Sequence, residues 1–445
     1  MISAAWRCRL WAKLAPIQRI CLLVFTLTVI LDLGRGVARY KSVLGFTGQR
    51  LIDTTEYDAR VHVTIAQRIL NGQGFTLPLG IGGPPEVQPA FLKAPAYPYL
   101  LAALFRFTGI SYSFFPIQCV FGGLLSVLVV LISMEVFGDP LAALVAGLGA
   151  ALNPILINSA AQLYNENIYF FMFFLVLWLY LRWWSAPSAK SALLCGLAAG
   201  LTALMRELML GPFAALTLLA LVRMWPKSKL TALTSAAWLS AGLLLPILPW
   251  TIRNYMEAGV VVPISTISGY TIGAGNNACV AVNWNVAFYG DAPCSALDQR
   301  RYALLAEWHK EPRVVFNDRA YRDLGLAYIR GHVGEYLKLC FRRAWTIFDP
   351  WHPAQGLDHR KKTVMLLYFL AFVAPGLIGA AWLPSRGVPS KAWPLYVALI
   401  ASYAPLAVIF VSHDHRYAIG IHLILAMFAG VWMAYLFRGT KRVSS

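Results

Sequence analysis

The sequence predicts an all-α polytopic membrane protein: a bundle of about ten transmembrane helices, with amphipathic juxtamembrane helices and a mainly helical extracytoplasmic region. Three observations predict it. Hydrophobic residues make up 58% of the 445 positions and charged residues only 13%, with a mean hydropathy of +0.60; soluble domains carry about 25% charged residues. Apolar stretches near 17–35, 113–137, 140–157, 166–184, 190–206, 208–224, 230–250, 363–383, 392–411 and 417–437 are each long enough, at about 1.5 Å per helical residue, to cross a ~30 Å hydrocarbon layer. The basic residues fall on one side of these stretches. The same composition excludes intrinsic disorder.

The charge distribution sets the orientation. With the N-terminus inside, the inner segments carry Arg7, Arg9, Lys13, Arg19, Arg182, Lys190, Arg223, Lys227, Lys229, Arg386, Lys391, Arg438, Lys441 and Arg442, against one acid, Asp139. The short outer turns hold only Arg206 and Arg416. This positive-inside bias puts both termini in the cytoplasm. The net charge of +18 therefore records membrane orientation and does not argue for nucleic acid.

The chain divides into 1–35 (cytoplasmic N-terminus and first span), 36–112 (first extracytoplasmic loop), 113–250 (spans two to seven), 251–362 (large extracytoplasmic region) and 363–445 (last three spans and cytoplasmic C-terminus). Residues 96–110 are apolar but reach only about 22 Å as a helix. Counting them as a span would put the basic turns outside, so they read as an amphipathic helix on the outer membrane surface. In 251–362, helical pattern occupies roughly 298–345, and Gly269 to Gly275 reads as a turn. The N-terminus lacks the polarity and cleavage site of a signal peptide. Seven cysteines show no CxxC or zinc spacing; Cys279 and Cys294 share the second outer region, where a disulfide stays open.

Chemistry-bearing residues gather on the outer side. Asp53 follows the first span, and Thr55 with Asp58 marks a helix start. That helix runs to Asn71-Gly72 with Tyr57, Val61, Ile65 and Ile69 as its apolar stripe. Asp53 reads either as a solvated loop acid or as a functional carboxylate at the membrane boundary, with Glu56 close by. Lys93 sits among Pro84, Pro85, Pro89, Pro95 and Pro98, which stiffen the loop; it either snorkels to headgroups or receives a lipid phosphate. Glu166, Arg206, Arg253-Asn254 and Arg416-Tyr417 occupy outer mouths of spans, with His413 just upstream of the last pair. Each arginine alone reads as an interfacial anchor, but four charged mouths opposite a stiffened loop with an acid and a lysine read as a shared site facing a cavity or partner.

Absences narrow the class. No GxxxxGK[ST] sequence exists, which excludes a P-loop ATPase. His413 and His415 are two apart and lack a third ligand, so no metal site is assigned. No acid sits at mid-depth within a predicted span, and the two halves show no visible symmetry, which argues against an ion-coupled transporter.

From about residue 50 to 420 the chain resembles the GT-C integral-membrane glycosyltransferases, in the branch of bacterial protein mannosyltransferase-like and lipid A aminoarabinose transferase-like enzymes. The resemblance is carried by Asp53 through Phe75, Pro95 to Ala102, Glu166, Leu204-Met205-Arg206, Pro249 to Tyr255, Gly275-Asn276-Asn277 and Tyr328 to His332. Where many relatives carry a second acid, this chain has Thr54, and where a proline follows the histidine it has Val333.

The resemblance implies transfer of a sugar from a polyprenyl-phosphate donor to a hydroxyl on a glycan, lipid or protein acceptor, outside the cytoplasm of a bacterial inner membrane. It makes Asp53, aided by Glu56 or Glu166, the catalytic acid set, and Lys93 a phosphate-binding lysine. Arg206, Arg253 and Arg416 join Lys93 as donor-phosphate candidates, and Tyr57, Asn254, Asn276, His413 and Tyr417 are further site candidates. A single base predicts inversion at the anomeric carbon. A divalent metal stays open. The competing classes are a flippase or transporter of a lipid-linked sugar and an O-antigen ligase- or polymerase-like envelope enzyme.

Overall fold

The structure, a computed structural model, describes residues 15–41, 45–54, 57–78, 87–160, 162–282, 314–349, 359–408 and 415–438. The Cys279–Cys294 pairing, like Glu56 and His413, lies outside what it describes.

The first apolar stretch forms α1 (Pro16–Tyr40), with proline at its first position, where a missing N–H is tolerated. The first outer loop folds as α2 (Gly48–Thr54), α3 (Tyr57–Leu70), an antiparallel hairpin of β1 (Thr76–Pro78) and β2 (Val87–Pro89), and α4 (Ala96–Thr108). Gly72, at φ +73°, ends α3 where the sequence predicts. The stripe of α3 is met by protein: Val61 and Ile65 bury against Phe75 and Ala90. Thirteen residues give α4 only about 20 Å, and it lays Tyr97, Leu101 and Phe105 against the protein as an amphipathic helix does.

The bundle continues with α5 (Phe114–Phe137), α6 (Pro140–Ala151), α7 (Pro154–Ala160), α8 (Glu166–Ser185), α9 (Ala189–Met205), α10 (Leu210–Met224) and α11 (Lys229–Ala258). Gly138 closes α5 at φ +66°, and Asp139 then caps α6 by accepting from Leu141 N (2.7 Å) and Ala142 N (3.1 Å). Asn153 caps α7 the same way, so α6 and α7 form one span bent by 49°.

The second outer region contributes α12 (Ile267–Gly275), α13 (Ala278–Val282), α14 (Val314–Gly331) and α15 (Val333–Thr346). The last spans are α16 (His359–Tyr368), running through a π-helical turn into α17 (Ala374–Trp382), then α18 (Trp393–Val408) and α19 (Ile419–Arg438).

Among the described residues, eight helical runs are long and apolar enough to cross a bilayer; the bent pair makes a ninth, and the 17-residue α9 is a shorter apolar helix. These occupy the ten predicted stretches. At the ends assigned to the cytoplasm, Asp139 pairs with Arg438, and Glu135 with Lys391 and Arg182.

Close backbone approach organises the packing. A methyl on Gly196 of α9 would stand 2.2 Å from Leu239 O of α11, and one on Gly242 would stand 2.4 Å from Leu193 O. Gly376 and Gly379 let α17 press against α19 at Leu425 and Phe428. Small residues permit such contacts between membrane helices.

The same physics corrects one expectation. Gly269 to Gly275 is not a turn but most of α12. Its glycines at four-residue spacing face α14: a methyl on Gly269 would stand 2.0 Å from Asp318 O, and one on Gly273 2.5 Å from Tyr321 O. They read as turn residues only when the partner helix is out of sight.

Candidate functional site

The site is built around Glu166. As the first residue of α8, its carboxylate sits where free N–H groups favour negative charge. Asn165, just before it, donates from Nδ2 to Met205 O (3.2 Å), joining the start of α8 to the end of α9. Arg206, the next residue, is thereby delivered to Glu166: Nη1 lies 3.3 Å from Oε1. Arg416 arrives from the turn before α19, where Gly420 lets the chain approach Phe170 of α8. Its Nη1 lies 3.5 Å from the same Oε1.

Two guanidiniums thus share one carboxylate oxygen. The Glu166 side chain is 1% exposed, while those of Arg206 and Arg416 keep 16% and 17%. The carboxylate is sealed and the cations retain an open side. The cluster carries one excess positive charge. Each guanidinium presents five N–H donors in a planar fork, a geometry that suits charge-assisted contact with an anion. Rings hold them in place: Arg206 stacks over Tyr417 (4.9 Å) and Tyr169 (5.7 Å), and Arg416 over Tyr164 (4.2 Å).

The first outer loop reaches this cluster through α4. Tyr97 donates to Tyr164 O (2.9 Å), and its ring meets His62 of α3 edge-on at 5.0 Å. Burial pushes the Tyr97 phenol well above its ordinary range, and the negative charge of Glu166 adds to the shift. The phenol therefore stays protonated and acts as a donor. Gln118 of α5 completes this layer by donating to Gln162 O (2.7 Å) and to the Tyr97 hydroxyl (3.5 Å).

Asp53 lies on α2, exposed. One carboxylate oxygen accepts from Gln49 (2.9 Å), while Arg60 donates to its backbone carbonyl (2.9 Å). Lys93 is half-buried just before α4. Tyr57 opens α3.

Three other candidates hold backbone. Arg253 donates to Phe75 O (2.9 Å) and Ala90 O (3.3 Å), with Trp250 under its guanidinium at 4.9 Å. Its sequence neighbour Asn254 is buried and donates to Val262 O and Ile264 O. Both residues pin the outer loops to the end of α11. Asn276 is buried and accepts from Arg343 (3.3 Å), which also donates to Gly275 O and Val408 O. The Gly-Asn-Asn segment is thus tied to the outer end of α18.

Sequence reasoning missed several of these groups. Tyr97 and Gln118 look like ordinary span and loop residues. Arg343 looks like a surface charge on α15. Ser265, which donates to Glu207, carries no motif. Sequence reasoning also passed over Asp32, which is fully buried on α1, a helix that continues to Tyr40.

Among the described residues no three His, Cys, Asp or Glu side chains gather to hold a metal, and Glu166 is already shared by two cations.

Compared with known proteins, the chain matches no family model and no curated protein. Its fold is similar to that of the Archaeoglobus fulgidus oligosaccharyltransferase in the apo form, with a TM-score of 0.54, 16% identity, and coverage of 96% of this chain and 51% of that one. A second structure of that protein, tethered through a disulfide bond to an acceptor peptide containing the NVT sequon, gives a TM-score of 0.52, 16% identity and coverage of 95% and 51%. The chain spans about half the length of these proteins. At this identity the likeness speaks for architecture alone: the protein has an all-α fold similar to that of this oligosaccharyltransferase.

Proposed function

We propose that the protein is a glycosyltransferase that moves a sugar from a polyprenyl-phosphate donor to an acceptor hydroxyl on the extracytoplasmic side of a bacterial inner membrane, as in the protein mannosyltransferase-like and aminoarabinose transferase-like branch. One observation carries the reading: Arg206 and Arg416 are both oriented by a single sealed Glu166, and their guanidiniums remain partly exposed at a span mouth. A lipid-borne phosphate arrives at that depth.

In the reaction, the bond between the anomeric carbon and the phosphate oxygen breaks, and the electron pair leaves with polyprenyl phosphate. Arg206, Arg416 and Lys93 stabilise that charge through charge-assisted hydrogen bonds. The acceptor oxygen bonds to the anomeric carbon from the opposite face, and its proton passes to Asp53. Glu166 positions the arginines. Glu56, Tyr57, His413 and Tyr417 remain candidates from the sequence for contact with donor or acceptor, while Arg253, Asn254 and Asn276 hold the outer loops. The bilayer supplies the donor, and nucleic acid plays no part.

The test uses purified protein with polyprenyl-phosphate-linked sugar and a hydroxyl acceptor, following released polyprenyl phosphate. Asp53→Asn should leave abundance unchanged and lower turnover by at least about a thousandfold, the scale of losing a general base. Activity surviving in that variant removes Asp53 as the base. Absence of any polyprenyl phosphate from the wild type favours a flippase.

A further inference from the structure

The helix α15 carries an apolar face that the protein leaves largely open. Val333, Leu337, Phe341 and Trp345 recur every fourth residue, which sets them along one side of the helix. All four are between 54% and 74% exposed. The opposite side, with Leu339, Arg343 and Thr346, is buried. The contrast with α3 is direct, because there Val61 and Ile65 are met by Phe75 and Ala90. A continuous row of large apolar side chains is costly to leave in water and marks an interaction surface.

Its position identifies what it meets. The buried side of α15 is held against the last turns of α18, part of a membrane-crossing run. Tyr336 and Arg343 donate to Val408 O (3.4 and 3.1 Å) at the end of that helix. Tyr403, one turn and a half deeper, donates to Ala344 O (3.0 Å), and its ring lies 5.6 Å from Phe348, just beyond α15. The helix therefore descends along the span from its mouth. On α18 itself Ile400 and Val408 are exposed, as lipid-facing residues are, and the α15 row extends that apolar surface. Trp345, at the lower end of the row, suits the boundary between acyl chains and headgroups.

Charge selects the kind of lipid. Lys338 and Arg342, both exposed, stand one turn apart on one flank of the row at about 100° per residue. Glu335 shares that flank but accepts from the Tyr328 hydroxyl of α14. An apolar face with a basic edge suits a bilayer surface that bears anionic headgroups: the stems lie along the apolar row while the charged ends reach phosphates. A second copy of the chain fits less well, since four side chains supply less than the ~800 Å² per partner of a standard interface. We propose that α15 docks on the bilayer at the end that carries Arg206 and Arg416, with its apolar row among acyl chains and Lys338 and Arg342 on the phosphates of anionic phospholipids. This docking is independent of the sugar chemistry.

The experiment places a photoreactive benzophenone side chain at Phe341 or Leu337 of the full chain, in nanodiscs of phosphatidylcholine with phosphatidylglycerol, and identifies the adducts by mass spectrometry. Asp323 of α14, exposed and paired with Arg322 at 3.1 Å, is the control position. The expected result is phospholipid adducts at Phe341 and Leu337 well above those at Asp323, with phosphatidylglycerol enriched at least about threefold over its share of the bilayer. Lys338→Gln combined with Arg342→Gln should bring that enrichment to parity while the adducts persist. Adducts no more frequent at Phe341 and Leu337 than at Asp323 would overturn the docking, as would a cross-linked dimer in their place, which assigns the face to a second copy. Phosphatidylglycerol captured only at its bulk share by the chain that keeps Lys338 and Arg342 would overturn the headgroup contact.

Discussion

Glu166 shows how one side chain sets the character of the outer face. Its carboxylate is sealed, and it holds Arg206 and Arg416 at 3.3 and 3.5 Å. Removing a partner from a buried pair costs about 3–5 kcal/mol because the remaining charges stay desolvated. Glu166→Ala leaves two guanidiniums facing each other and should lower stability by that order, read as a drop in unfolding temperature. Glu166→Gln keeps the shape and a single acceptor oxygen and should fall between. An unchanged unfolding temperature in the alanine variant would mean that water screens the cluster fully. Arg253 teaches a different lesson at the same scale. A cation at a span end reads as a phosphate ligand, yet its donors go to Phe75 O and Ala90 O.

At the scale of elements, glycine placement governs how closely helices meet. Gly196→Leu drives a side chain into Leu239 O, 2.2 Å from the first added carbon. Because that neighbour is backbone, α9 and α11 must separate, and a sharp loss of folded protein in detergent is expected. Gly34→Ala on α1, with nothing within 4 Å, is the control. It should be neutral or gain up to about 1 kcal/mol from helix propensity. Equal behaviour of the two variants would contradict the close approach of α9 and α11.

The spans were legible because apolar length is a local property. The end of α3 at Gly72 was legible because its stop signal is local too. The helix at Ile267–Gly275 was not, since its glycines make sense only against Tyr321 and Asp318. Asp32 escaped notice because it falls near the end of its apolar stretch, and nothing local shows that α1 runs on to Tyr40. Glu166, Arg206 and Arg416 were visible as charges at one depth. That they touch depends on Asn165 tying α8 to α9, and on Gly420 admitting Phe170.

Over the whole molecule, the candidate polar residues gather at one end of an apolar bundle. Asp53 and Lys93 lie in the first outer loop, and the arginine–glutamate cluster sits at the span mouths. The opposite ends carry the Asp139–Arg438 and Glu135–Lys391 pairs. The fold, shared with an oligosaccharyltransferase at 16% identity, leaves the chemistry to these side chains. The central claim is that the paired arginines receive a lipid-borne phosphate. Its most direct measurement is polyprenyl-phosphate affinity in nanodiscs for the wild type and for Arg416→Gln, which removes one guanidinium while Glu166 keeps Arg206. The account predicts at least about a tenfold loss of affinity, or 1.4 kcal/mol, with the unfolding temperature largely kept. Equal affinity in both proteins would place the phosphate elsewhere and contradict it.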